Sequence, residues 1–316
     1  MLLKAKRKLP NTFASILIIL LTAITVFAWW EYHPSRNVYE VDVPISGDPA
    51  DCDDDLLIAV IGDYGNASQR EADVAALVHS WDVDYVVTVG DNNYSYGEAR
   101  TIDKNIGQYY QEYIFPYKGQ YGGGATENRF FPALGNHDWR RGNIDPYLDY
   151  FMLPGNERYY DVVLGAVHLF VIDSDPAEPD GRFSDSIQGQ WLQAQMTAST
   201  SPWKLVAQHH LPYSSGHDHG DDPEMQWPYA EWGATAVLSG HQHSYERINQ
   251  DDILYFINGL GGRWRVHTFN EARPDSAVRY NQDFGAMLIT ADDNCINFSF
   301  YSRAEELIDS VTVTKP

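Results

Sequence analysis

Five short polar motifs each follow directly on an apolar run of strand length, and this arrangement restricts the fold more than any other feature of the chain. The runs at 57–61, 85–89, 130–134, 204–208 and 235–239 lead into Gly62-Asp63-Tyr64-Gly65, Gly90-Asp91-Asn92-Asn93-Tyr94, Gly135-Asn136-His137-Asp138, His209-His210 and Gly240-His241-Gln242-His243. A further run lies at 167–173, and amphipathic stretches at 69–81, 102–115 and 186–198 read as helices. The alternation is that of βαβ units, so an α/β domain with a largely parallel sheet is expected. Ligands bind such sheets at the carboxyl ends of the strands, which brings the five motifs to one place. A glycine before the ligand would let the chain turn sharply as it leaves the strand. After His243 the pattern changes to consecutive strands at 253–257, 286–290, 296–301 and 310–313. The long loops 119–128 and 213–228, rich in Gly or in His and Asp, are expected to line a site.

Every side chain gathered by the motifs is an oxygen or imidazole donor, which suits a pair of hard or borderline cations. Taken singly the motifs differ in weight. Asp63 after a glycine is an ordinary turn, whereas Gly135-Asn136-His137-Asp138 carries an imidazole that a turn does not need. In an extended segment His241 and His243 would face opposite ways and could serve two metals. His209 and His210 read in isolation as a core histidine beside a solvated one. The two cysteines cannot supply a Cys-based zinc site. A bridge between Cys52 and Cys295 would close a long loop and require an oxidising compartment; the sequence leaves their pairing open.

Compartment and partners follow from charge. Lys4, Lys6, Arg7 and Lys8 precede an apolar run over 13–30, close to the roughly 20 residues needed to span a bilayer. Residues 1–30 therefore read as an export signal or an N-terminal membrane anchor, the length and the Trp29-Trp30 pair favouring the anchor. Residues 31–55, with three prolines and an acidic cluster, read as a tether, and 56–316 as the ordered domain. Either reading puts the domain outside the cytoplasm, whether periplasmic, extracellular or anchored there, with membrane contact only through the N-terminal segment. The whole chain has 44 acidic residues against 22 basic ones, a field that repels nucleic acid. The oligomeric state is left open.

The motif set resembles that of the calcineurin-like metallophosphoesterases, and Tyr94, three residues after Asp91, narrows the resemblance to the purple acid phosphatases. Residues 90–97 are most similar to the small, tartrate-resistant acid phosphatase branch. The similarity covers residues 57–263. It implies a four-layer α-β-β-α sandwich, a dinuclear centre of Fe(III) with a divalent ion (Fe, Zn or Mn), and hydrolysis of small phosphate monoesters. Carried over position by position, it gives one metal to Asp63, Asp91, Tyr94 and His243 and the other to Asp91, Asn136, His209 and His241, with Asp91 bridging. His209 is preferred to His210 on its spacing from Tyr213-Ser214, although Gln208 stands where the family often has Gly. Two carboxylates and a phenolate leave a surplus of positive charge on such a metal pair, enough to bind phosphate and to deprotonate the attacking water.

The resemblance further gives His137 to the phosphate and one of His217 and His219 to the leaving group, His219 having the better spacing from His209. Asp138 is expected to orient His137. Arg263, after Gly259-Leu260-Gly261-Gly262, could approach the phosphate, a turn between strands being the plainer reading. Most Tyr and Trp residues, among them Trp139, Tyr147 and Trp227, read as core. Two rivals remain: a phosphodiesterase or nucleotide pyrophosphatase on the same fold, and a non-catalytic surface protein that binds phosphorylated partners.

Overall fold

The strand-forming runs are short, and most are apolar on both faces, which requires cover on both sides. A computed structural model describes residue 52 and residues 55–315; the expected signal or anchor and nearly all of the expected tether lie outside the described residues. Among the described residues no helix is long and apolar enough to cross a membrane.

The strands divide between two mixed sheets, in keeping with the four-layer α-β-β-α sandwich that the resemblance implies, rather than forming one largely parallel sheet. In the first, β1 (Leu57–Ile61), β2 (Tyr85–Thr88) and β3 (Phe130–Pro132) run parallel, while β11 (Gly285–Ala291), β12 (Cys295–Ser302) and β13 (Leu307–Thr314) form an antiparallel meander; the order is β13-β12-β11-β1-β2-β3. The second contains β4 (Tyr160–Leu164), β5 (Val167–Val171), β6 (Trp203–Ala207), β7 (Ala236–Ser239), β8 (Tyr245–Gln250), β9 (Ile253–Asn258) and β10 (Ser276–Tyr280), in the order β10-β8-β9-β7-β6-β5-β4. Here β5, β6, β7 and β9 are mutually parallel, and the remaining strands pair antiparallel. The connections from β11 to β12 and from β12 to β13 are too short for parallel crossovers, so these strands add as hairpins to the edge of the parallel half.

Period-2 alternation divides the second sheet between two cores. Leu169, Leu205, Ala207, Ala236 and Leu238 share a cluster with residues of the first sheet. Their neighbours Phe170, Ile172, Val206 and Val237 pack with Leu192 and Met196 of the helix Ile187–Ala198 and with Trp227 and Tyr229. On the first sheet, Val74, Leu77 and Val78 of the helix Gln69–Ser80 join the larger cluster. The result is the sheet-on-sheet sandwich with outer helices, each fully buried aliphatic side chain contributing about 1.5–3 kcal/mol. The helix Gln69–Ser80 starts where the Ser68 hydroxyl accepts the Glu71 N–H at 3.2 Å. Cys52 and Cys295 are joined by a disulfide with Cα atoms 5.7 Å apart, fastening the segment before β1 to the start of β12.

Candidate metal centre

Residues from the carboxyl ends of β1, β2, β3, β6 and β7 meet between the sheets. Asp63 and Asp91 are both buried, and each adopts a left-handed backbone, φ 54° and 56°. The expected role of glycine is thereby corrected. Of the four glycines that open motifs, only Gly90 has positive φ; the sharp turn otherwise falls on Asp63, Asp91 and His241, whose φ is 66°. Glycine serves close approach instead: a Cβ on Gly135 would lie 2.2 Å from the Asp91 nitrogen, and one on Gly240 would lie 2.6 Å from the Val89 carbonyl oxygen and 2.7 Å from Asp63 Oδ2. Holding aspartates and a histidine in αL costs conformational energy that the packed loops must offset.

The donor atoms form two groups. In one, Asp63 Oδ1 lies 3.1 Å from the Tyr94 hydroxyl and 3.3 Å from His243 Nε2, with Tyr94 and His243 3.4 Å apart. In the other, His209 Nε2 lies 3.1 Å from Asn136 Oδ1, 3.1 Å from His241 Nδ1 and 3.4 Å from Asp91 Oδ1. Asp63 Oδ2 also accepts the His241 N–H at 2.8 Å, so the groups adjoin. His241 and His243 do face different groups, but through a tight turn rather than an extended segment. Gln242 N–H donates to Gly240 O and Ser244 N–H to Gln242 O, both at 2.7 Å.

These donors fit cations on chemical grounds. His209 Nδ1–H donates to Val89 O at 2.8 Å, and His243 Nδ1–H donates to Arg265 O at 2.7 Å. Each tautomer is fixed, and each Nε2 presents a lone pair to oxygen acceptors, an arrangement satisfied only by a proton or a metal ion. Burial, then the Asp63 and Asp91 carboxylates, push the Tyr94 phenol well above its ordinary pKa, so a phenolate there needs a cation beside it. Burial and the neighbouring histidines hold His241 well below its ordinary value, in the neutral form that binds metal. Burial works to raise the Asp91 carboxyl, but His209 and His137 beside it bring it below its ordinary value. Asp63, Asp91 and His209 also form a buried cluster close enough to share one ion.

The other candidates separate. His137 donates through its backbone N–H to Asp91 Oδ1 at 2.8 Å, its Nδ1 meets Ser95 O at 2.8 Å, and its Nε2 lies 3.8 Å from Asp91 Oδ2. His219 stacks on His241 with ring centres 3.8 Å apart and faces the same cleft. His217 is not brought to the cleft: its backbone N–H is tied to Thr268 O and its side chain is 64% exposed. His210 is turned away, with Nδ1 3.0 Å from Ser174 Oγ. Asp138 does not orient His137. It is buried and accepts from Gly135 N–H at 2.9 Å, Asn92 N–H at 3.2 Å and Asn92 Nδ2 at 2.9 Å, binding two ligand loops together; Ser95 O orients the His137 ring instead. Trp139 bonds Asp173, Tyr147 bonds Pro132 O, and Trp227 is packed in the outer core.

The cleft, about 250 Å³, is lined also by Arg140, Arg263, Trp264, Arg265 and His267. His267 is a site residue that the sequence reading missed. It stacks on His243 at 4.0 Å with an 11° tilt, its Nδ1 accepts the His243 N–H at 3.1 Å, and its own N–H donates to His243 O at 2.8 Å. No motif spacing announced it, because it lies on the loop before β10.

A model of the family described as calcineurin-like phosphoesterase matches residues 56–245. Purple acid phosphatase 17 of Arabidopsis thaliana is 26% identical over 257 residues, covering 69% of this chain and 72% of that protein. Tartrate-resistant acid phosphatase type 5 of Homo sapiens is 22% identical over 244 residues, 65% of this chain and 72% of that one. Among solved structures, the purple acid phosphatase PPD1 of yellow lupin (Lupinus luteus) superposes with a TM-score of 0.65 at 17% identity, over 82% of this chain, which spans 53% of the lupin protein. With the matched region running from the first strand through all five motifs, the chain belongs to the calcineurin-like phosphoesterase family.

Proposed function

We propose that the protein is a dinuclear-metal acid phosphatase that hydrolyses phosphate monoesters. The observation that carries this reading is the division of seven donor side chains into two groups: Asp63, Tyr94 and His243 on one side, Asn136, His209 and His241 on the other, with Asp91 between them. Tyr94 supports Fe(III) in the first group, since a phenolate is a hard, anionic donor; the second group, with a neutral amide and two imidazoles, suits a divalent ion such as Fe, Zn or Mn. When bound, such a pair supplies Lewis-acid charge for the phosphoryl oxygens and lowers the pKa of water.

The chain's own residues do the rest. His137, whose Nδ1–H donates to Ser95 O and whose ring is turned toward Asp91, would donate to a phosphoryl oxygen through Nε2 as the imidazolium, a form that burial disfavours and the bound phosphate dianion would favour. His219, on the opposite loop and stacked on His241, is placed to give a proton to the departing alkoxide. A diesterase would need room for a second ester arm, and a non-catalytic protein would have no use for the full donor set together with two cleft-facing histidines. A location outside the cytoplasm is supported by the Cys52–Cys295 disulfide and by the basic-then-apolar N-terminal sequence.

The test uses the full chain, with p-nitrophenyl phosphate compared against bis(p-nitrophenyl) phosphate and with metal content and the visible spectrum recorded. Faster turnover of the monoester and a visible band that disappears in Tyr94→Phe are expected. A preference for the diester would refute the monoesterase reading, and a colourless protein holding two zinc ions would refute the iron.

A further inference from the structure

The cleft mouth carries two guanidinium groups that the chemistry above leaves unused. Arg263 lies over the Tyr94 ring at 4.2 Å, and its backbone N–H donates to Asp63 O at 2.9 Å, so its position is tied to the first donor group. Arg140 follows the short helix Asn136–Trp139 that carries Asn136 and His137. Arg265, also on the cleft, is paired with Asp218 at 3.1 Å, and Arg141 is paired with Glu98. Among the described residues neither Arg140 nor Arg263 has a carboxylate within ion-pair distance. That is notable in a chain with twice as many acidic as basic residues. Burial holds the Arg263 guanidinium below its ordinary pKa, against the Tyr94 and Asp91 charges, which work to raise it. Among the described residues Asp91 is the one carboxylate lining the cleft, and it belongs to the proposed metal donors.

A phosphoryl dianion balances the surplus charge of a trivalent and a divalent ion over Asp63, Asp91 and Tyr94. Two cations then remain in the lining of the same cleft. We propose that Arg140 and Arg263 make the enzyme selective for phosphate monoesters whose leaving group carries a negative charge of its own. Arg263 receives that charge from a fixed position beside Tyr94, and Arg140 receives it from the solvent side. The inference rests on the phosphomonoesterase reading and deepens it.

A matched pair of esters tests it: 3-phosphoglycerate, whose departing alcohol, glycerate, carries a carboxylate, and glycerol 3-phosphate, whose departing alcohol, glycerol, is neutral. The wild type should favour 3-phosphoglycerate in kcat/KM by about tenfold or more, the scale of a charge-assisted contact. Raising the ionic strength should shrink the ratio. Arg140→Ala should lower the ratio about tenfold, Arg140→Glu should lower it further, and Arg140→Lys should keep it within about threefold of wild type. In each Arg140 variant turnover of 3-phosphoglycerate should fall by more than that of glycerol 3-phosphate. Equal turnover of both esters by the wild type, or a ratio unmoved in Arg140→Ala and Arg140→Glu, overturns this inference alone. A wild type that hydrolyses neither ester overturns the phosphatase reading and the inference with it.

Discussion

With Asp91, 3.4 Å from His209, proposed as the carboxylate shared by both metals, and Asp63, bonded to Tyr94, as a donor to one, their substitution should differ in kind. Without a shared carboxylate, two cations repel at roughly 3.5–4 Å. Asp91→Ala should lose both metals and Asp63→Ala mainly one, by elemental analysis of the purified variants. Equal loss in both would show that Asp91 is not the bridge. His219 and His137 are separable through the leaving group: His219→Ala should slow alkyl phosphates about 10²-fold while sparing p-nitrophenyl phosphate, whose leaving group departs without a proton. A stronger leaving-group dependence in His137→Ala would transfer the role. At this scale the proposed donors were legible because Asp63, Asp91, Asn136, His209 and His241 stand beside a glycine or another histidine at the end of an apolar run, and Tyr94 and His243 follow within three residues. His267 was not: its contact with His243 joins positions 24 residues apart with no shared motif. Nor was the work of the glycines, since Gly135 and Gly240 answer to atoms of other loops.

Elements were readable where their periodicity was clean. The strand at Leu57–Ile61 and the helices Gln69–Ser80 and Ile187–Ala198 coincide with the expected spans to within a residue. The strands β4, β8 and β10 escaped. β8 reads Tyr-Glu-Arg-Ile-Asn-Gln, a polar run, yet Glu246 and Arg247 are buried in it. Glu246 accepts from Ser215 N–H and Ser276 Oγ, and Arg247 pairs with Asp309, partners remote in sequence. A second buried acid yields a prediction at the start of the helix Gln69–Ser80. Burial raises the Glu71 carboxyl well above its ordinary 4.5, and the Asn66 and Ala67 N–H groups, both donating to Oε2, offset this only in part. The folded state thus retains a proton that the unfolded chain has released. This contribution is fully present below about pH 4.5 and is lost as pH rises toward the folded value. Glu71→Gln keeps an oxygen for both N–H groups and removes the charge. Its stability relative to wild type should therefore increase with pH above 4.5, measured by denaturation at pH 4 and pH 7. A pH-independent difference would refute it.

At the scale of the whole molecule the two sheets are joined not only by the apolar core but by a buried ionic tie. Asp309 on β13 accepts from Arg247 Nε at 2.7 Å, Arg247 Nη2 at 3.1 Å and the Tyr245 hydroxyl at 2.8 Å, the last two residues lying on β8. Asp309→Ala strands a buried guanidinium and should destabilise by about 3–5 kcal/mol in denaturant unfolding. A loss below about 1 kcal/mol would mean that the tie adds nothing to the sandwich. The sequence by itself determined which residues are offered for the proposed chemistry, and that they end strands, because strand length, apolar alternation and donor type are local properties of consecutive residues. Only the tertiary structure decided how the strands are ordered and paired within the two sheets, that His267 clamps His243, that His217 faces solvent, and that, among the described residues, Arg140 and Arg263 share a cleft with no carboxylate at ion-pair distance. Each of these depends on contacts between segments far apart in the chain, fixed by packing and charge neutralisation that no local pattern encodes.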